Sequence, residues 1–292
     1  MRDLTGKRAL VTGAAQGIGK SIALALARRG VAIVLTDLRL ESLAAAAAEI
    51  RNLGVPAFTY ALDVTNHQAI AELRDRLRTE VGPLDILVNN AGTVFGGAFL
   101  DVPLEKHLLT YQVNTLGMVA MTHAFLPDLA ARPEANVTNI VSASAFVGLP
   151  FGTTYASSKW AGLGFSEGLR LELCELGQRH VTVTAVCPSY VKTGLFEGVK
   201  LPTTTDWLTP DRLAEQVVHG IVRNKPLVLA PAIVRTTPFF RGVLPLRLFD
   251  WVGRIFGVNT TMYTWRGHTA HGQPSAPHPP ASTPERDRAG VL

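Results

Sequence analysis

Cysteine is nearly absent: Cys174 and Cys187 are the two in 292 residues, both in apolar contexts and with no Cys-x-x-Cys spacing. That excludes a disulfide framework and a cysteine-built metal site. The pair reads as reduced, buried thiols of a cytoplasmic protein. Charge is also scarce. Only 17% of residues are charged, against roughly 25% in an average globular domain. With 47% of the chain hydrophobic, this rules out a largely disordered polymer and calls for extensive burial. No run of 18 apolar residues occurs, so no membrane-spanning helix is expected. The opening Met1–Gly13 leads straight into a first strand, and no secretory leader is read there. Clusters of Lys and Arg are missing too, which disfavours a nucleic-acid partner. The net charge of +5 is local: residues 1–192 hold 17 basic and 16 acidic side chains, residues 193–292 hold 11 and 7. Between 220 and 266 seven basic residues face one acid, Asp250. His67, His107, His123, His180 and His219 show no ligand spacing, and no metal is expected.

What is present is alternation. Short β-rich runs at Arg8–Thr12, Ala32–Thr36, Ala57–Tyr60, Ile86–Asn89, Val137–Ser142, Val181–Val186 and Leu227–Leu229 are separated by helical patterns over 17–29, 40–53, 66–80, 104–130, 153–177 and 211–223. Several of the runs are almost wholly apolar, as strands covered on both faces must be. Strand–helix alternation of this kind specifies βαβ units and a parallel sheet. The texture changes after residue 230. Residues 231–266 are rich in Phe, Leu, Trp, Arg and Pro; residues 267–292 hold five prolines and almost nothing large and apolar, and read as a disordered tail. The chain thus divides into a catalytic unit over 1–230, an apolar basic segment over 231–266 and the tail.

Directly after the first strand comes Thr12-Gly13-Ala14-Ala15-Gln16-Gly17-Ile18-Gly19, opening a helix. Glycines there let backbone approach a pyrophosphate, and the helix N-terminus offers free N–H groups and a positive dipole end. Asp37 closes the next strand, 18 residues after Gly19. Its carboxylate can accept from the adenosine ribose hydroxyls and would repel a 2′-phosphate, which favours NAD. Arg39 keeps NADP open as the alternative, whereas Gln16 in the loop is uncharged. A turn or helix-cap role for Asp37 is the plainer reading, and the glycines in register argue against it.

The spacing of Gly13, Gly17 and Gly19 resembles the Thr-Gly-x3-Gly-x-Gly loop of the short-chain dehydrogenase/reductase family. The resemblance runs from residue 5 to about residue 230. Asp63-Val64 matches the pair this family sets beside the adenine, and Asn89-Asn90-Ala91-Gly92 matches its Asn-Asn-Ala-Gly element along the cofactor. It implies a Rossmann-like, doubly wound, parallel seven-stranded sheet flanked by helices, here with a C-terminal apolar helical extension.

In Tyr155-Ala-Ser-Ser-Lys159 the tyrosine and lysine share a helix face. A nearby ammonium stabilises phenolate and lowers a pKa that is ordinarily about 10, which fits tyrosine for acid/base work. The resemblance implies further roles. Ser142, 13 residues before Tyr155, hydrogen-bonds the substrate oxygen, with Ser144 as competitor. Asn114 completes a catalytic tetrad through a water beside the lysine. Pro188, Val191 and Thr193 flank the nicotinamide, with Ser189 standing where the family has glycine. The implied activity is NAD(P)-dependent interconversion of a secondary alcohol and a ketone or aldehyde. A non-catalytic dinucleotide-sensing protein on the same fold is the alternative, and sugar-nucleotide chemistry would need a larger C-terminal domain.

The loop 194–209 is where this family builds its lid. Leu195, Phe196, Val199, Leu201 and Trp207 make it apolar and point to a hydrophobic small-molecule substrate. Trp160 reads as a packing residue. A helix is expected from Pro245, with Leu246, Phe249, Val252 and Phe256 on one face, Leu248, Trp251 and Ile255 beside it, and Arg247, Asp250 and Arg254 opposite. Two readings stand for residues 239–257: packing over the pocket or a neighbour, and in-plane contact with a membrane surface. The two long helices, 104–130 and 153–177, are where the family forms homodimers or homotetramers.

Overall fold

The computed structural model describes residues 1–203 and 205–267; the stretch 268–292, most of the expected tail, lies outside the described residues. Strands β1 (Arg8–Thr12), β2 (Ala32–Asp37), β3 (Ala57–Ala61), β4 (Ile86–Asn89), β5 (Ala135–Ile140), β6 (Val181–Pro188) and β7 (Leu227–Ala230) form one parallel sheet in the order β3-β2-β1-β4-β5-β6-β7. Chain order reverses between β1 and β4. That switch point leaves a crevice at the carboxyl ends of the strands, where ligands bind in open α/β sheets.

Successive side chains of a strand serve opposite faces. Val11 and Ile33 pack with Ile22 and Leu26 of α1 (Gly17–Ala27), with α2 (Ala44–Asn52), and with Leu213 and Val217 of α7 (Pro210–Val222). Leu10, Val34 and Leu87 pack with Leu73 of α3 (His67–Glu80), Phe125 of α5 (Met118–Ala130) and Leu173 of α6 (Thr153–Glu175). A polar seam crosses the middle: Asn89 Nδ2 donates to Asn139 Oδ1 at 2.8 Å and to Thr122 Oγ1 at 2.9 Å, while Asn139 Nδ2 donates to Ser166 Oγ at 2.9 Å. These bonds fix β4 and β5 against α5 and α6.

The structure refines four expectations. The helix expected over 104–130 forms without a break, but α4 (Leu104–Tyr111) and α5 are joined within it by a stretch of π-helix, Gln112–Gly117. The π-helical stretch holds Asn114, whose side-chain amide bonds Thr93 in a neighbouring loop. The fifth strand spans Ala135–Ile140, so Ser142 lies two residues beyond it, capping a short 3₁₀ turn at Ala143–Phe146. Cys174 is half-buried and Cys187 fully buried. Beyond β7 the periodicity from Pro245 does form a helix, α9 (Leu246–Ile255), but another, α8 (Thr236–Val243), precedes it. Within α9, Arg247, Asp250 and Arg254 keep the shared exposed face that their spacing sets, and Asp250 also borders the cavity described below.

Candidate active site

The crevice opens into a cavity of about 1590 Å³. Its first part is the glycine loop. Gly13 takes the left-handed region at φ +62°, which a residue with a side chain adopts only under strain. The N-terminus of α1 follows uncapped: Gln16 makes no side-chain bond there, and the first turn carries no acid. Asp37 is tied to this loop, its Oδ2 accepting from the Ala15 N–H at 3.1 Å and its Oδ1 from the Leu38 N–H at 2.9 Å. Asn90 fastens the loop from the other side, donating from Nδ2 to the Thr12 and Gly13 carbonyls at 2.8 and 3.0 Å. Thr12 Oγ1 accepts from the Asn90 and Ala91 N–H groups. Thr193 arrives beside Gly17, close enough that a Cβ there would sit 3.1 Å from Thr193 Cγ2.

The second part is chemical. Tyr155, 6% exposed, and Lys159, 4% exposed, project from one face of α6. Lys159 Nζ lies 5.8 Å from the Tyr155 ring centroid and donates to the Ile140 carbonyl at 2.9 Å. Ser142 lies near enough to the Tyr155 phenol to draw its pKa down, and its Oγ accepts from the Ser144 N–H at 3.1 Å. Of the two serines it is therefore Ser142 that acts on the tyrosine. Burial pushes the Tyr155 pKa well above its ordinary value, opposed by Ser142. Burial also lowers Lys159 from 10.5 to about 8. Asn114 is buried, with Oδ1 accepting from the Thr93 N–H at 2.8 Å and Nδ2 donating to the Thr93 carbonyl at 2.9 Å and to Ser158 Oγ at 3.0 Å. A Cβ on Gly92 would lie 3.3 Å from Asn114 Oδ1 and 3.6 Å from Lys159 Nζ, so these three residues converge.

Sixteen of the sequence-predicted residues line one cavity: Gly13, Gln16, Gly17, Ile18, Asp37, Asp63, Val64, Asn90, Ala91, Gly92, Ser142, Tyr155, Lys159, Pro188, Val191 and Thr193. Gly19 and Asn114 do not line it. Gly19 packs against the Gly13 carbonyl and the Asn90 amide behind the loop, and Asn114 sits behind Thr93 and Ser158. Asp63 turns inward on its own chain, accepting from Thr65 N and Oγ1 at 2.8 Å. Trp160 lies outside the cavity and partly exposed, its Nε1 donating to the Ser144 carbonyl at 2.6 Å and its ring carrying the Arg241 guanidinium at 4.5 Å.

Sequence reasoning named the lid and a candidate cover in 239–257 but missed the residues that tie them down. Phe196 meets Tyr155 edge-on at 5.5 Å and Tyr190 at 5.3 Å, and the Tyr190 hydroxyl donates to Thr261 Oγ1 at 2.7 Å. Met262 packs into the same buried group as Tyr155 and Leu149. The backbone of 256–266 holds the lid: Thr203 N donates to the Phe256 carbonyl, Lys200 N to Thr261 and Arg266 N to Glu197. No local motif announces these pairs; an apolar residue near Thr261 was the sole available signal.

A glycine cradle over an uncapped helix start, joined to a buried tyrosine–lysine–serine group, defines a nicotinamide-dependent oxidoreductase, and the cradle fits a dinucleotide. Comparison with known proteins agrees. A family model described as short chain dehydrogenase matches residues 7–202, and the chain belongs to the short-chain dehydrogenase/reductase family. It is 34% identical over 248 residues to human 17-beta-hydroxysteroid dehydrogenase 13, covering 84% of this chain and 82% of that one. It is 30% identical over 260 residues to mouse epidermal retinol dehydrogenase 2, covering 88% and 84%. A short-chain dehydrogenase/reductase from Burkholderia phymatum, solved in complex with NAD, superposes with a TM-score of 0.74 at 25% identity, covering 81% of this chain and 93% of that one. The protein is an NAD(P)-dependent oxidoreductase.

Proposed function

We propose that the protein interconverts a secondary alcohol and a ketone, or a primary alcohol and an aldehyde, on a hydrophobic small molecule, with NAD preferred and Tyr155 as general acid/base. The observation that carries this reading is the continuity of one cavity from the glycine loop, past Tyr155, to an apolar roof. It exceeds the roughly 300–1,000 Å³ of a single-ligand pocket, which leaves room for cofactor and substrate together. The names of the relatives point to steroid and retinol alcohols, and Phe196, Leu149 and Phe240 along the cavity suit such bodies.

When bound, the cofactor accepts or returns the hydride. In alcohol oxidation the Tyr155 oxygen takes the hydroxyl proton, and in reduction it gives the proton back. Ser142 orients the substrate oxygen. The Lys159 ammonium, charged below about pH 8, offsets the burial that otherwise resists a phenolate. Asn114 is a positioning residue, holding Thr93 and Ser158 beside that lysine. Gly13, Gln16, Gly17 and Ile18 would hold the pyrophosphate, with Gly19 letting α1 close up behind the loop, Asp37 the ribose, Asp63 and Val64 the adenine, Asn90, Ala91 and Gly92 the central span, and Pro188, Val191 and Thr193 the nicotinamide end. Exposed Leu104, Leu108, Leu116 and Leu171 on α4, the π-helical stretch and α6 suit a homodimer.

The test is NAD-linked turnover on a panel of hydroxysteroids, retinol and their carbonyl counterparts, by wild type and Tyr155→Phe. The variant should lose about 10²–10⁴-fold in kcat while still binding NADH. A wild type that binds NADH yet converts nothing, or a variant that matches it, would leave the dinucleotide-sensing alternative.

A further inference from the structure

The α8–α9 hairpin is apolar on both sides. Phe240 and Leu244 of the first arm, with Phe249, Val252 and Phe256 of the second, turn inward and line the cavity. The opposite stripes face solvent: Phe239 and Val243, both 64% exposed, and Leu248, Trp251 and Ile255, with Trp251 59% exposed. Helical spacing sets Arg247 and Arg254 alongside Trp251 on α9, and both are exposed. Among the described residues no ion pair holds Arg235, Arg247 or Arg254. Asp250 is the one acid on either helix; it lies three residues after Arg247 and four before Arg254 and is paired with neither. No residue of either helix is buried.

We propose that this hairpin docks the protein on an anionic lipid surface. Roofing the pocket accounts for the inner stripe only. A helix with an outward Trp and aliphatic residues bordered by arginine is suited to lie in the headgroup plane, where the rings bury and the cations meet lipid charge. Arg241, Arg247 and Arg254 against Asp250 alone leave the hairpin a net positive charge, which favours an acidic bilayer over an uncharged protein patch. Among the described residues no helix is long and apolar enough to cross a membrane, so the contact is in-plane. The docked hairpin has bilayer on one face and the cavity on the other, giving a lipid-dissolved substrate a path that avoids water. That path rests on the hydrophobic-substrate reading above; the docking does not, and it is tested without substrate.

The experiment is flotation of the full chain with phosphatidylcholine vesicles, with and without phosphatidylserine. Trp251→Ser/Ile255→Ser and Arg247→Gln/Arg254→Gln are compared with wild type, and NADH binding reports the fold of each. None of the four residues lines the cavity. Wild type should float with the phosphatidylserine vesicles and lose that binding at high salt. Each double variant should partition about tenfold less, the effect of roughly 1.4 kcal/mol. Absence of flotation, or flotation that neither double variant weakens, overturns the proposal. So does a double variant that changes the oligomeric mass seen by light scattering without vesicles, which would assign the face to a second copy of the chain.

Discussion

Replacing Lys159 by Met should make the cofactor-free protein's stability respond less to rising pH. Lys159 is 4% exposed, and burial lowers its pKa from 10.5 to about 8. Below pH 8 the lysine is protonated folded and unfolded, and the folded state bears the whole cost of an ammonium taken out of water. Between pH 8 and 10.5 the unfolded chain still binds the proton and the folded one does not. Stability therefore rises with pH across that window, at about 1.4 kcal/mol per unit for this one group. From pH 7 to 9.5 the wild type should gain about 2 kcal/mol relative to Lys159→Met, since the remaining groups titrate alike in both proteins. The loss of the bond to the Ile140 carbonyl shifts the two curves apart by a constant and does not alter their slopes. The assay is urea unfolding of both proteins at a series of pH values in that range. Parallel stability curves would refute the reasoning, and a wild type that loses ground as pH rises would reverse its sign.

Adding a methyl at Gly19 drives it into the Gly13 carbonyl and the Asn90 amide; Gly19→Ala should lower NADH affinity at least tenfold by fluorescence titration. Asp37→Ala removes both the proposed ribose acceptor and the repulsion of a 2′-phosphate, so the ratio of NADPH to NADH affinity should rise about tenfold, and a wild type that already prefers NADPH would contradict the assignment. Asp85 is 1% exposed and receives Arg132 Nε at 2.9 Å and the Arg8 N–H at 3.0 Å. Arg132→Ala should cost about 1–3 kcal/mol in urea unfolding, with little change in cofactor binding.

The catalytic half of the molecule was legible because its signals are local. A strand followed by Gly13, Gly17 and Gly19, then Asp37 at the next strand end, fixes a turn, a helix start and a carboxylate in a few dozen residues. Tyr155 and Lys159 share a helix face by spacing alone. Asn114 shows the limit. Its sequence context marks it as special, but its partners, Thr93 and Ser158, lie 21 and 44 residues away. The roof was less legible still. Pro238 and the paired threonines before it hide α8 from any propensity argument, although proline is harmless in a helix's first turn. Asp250 falls beside Arg247 and Arg254 on a helical wheel, and α9 keeps it there, but its second position, at the edge of the cavity, depends on how the hairpin sits and no spacing announces it.

The backbone bonds from Lys200, Thr203 and Arg266 run between the lid and the chain after α9, and the Tyr190 and Trp265 side chains add one cross-tie each, to Thr261 and Leu195. Lid and C-terminal segment are thus mechanically a single hinged cover. A cover tied in this way opens with both parts together, and Met262 leaves the packing around Tyr155 as it does. Product escape and exposure of the acid/base residue to water are then one event, so the cover that sets residence time also sets how long the tyrosine stays dry.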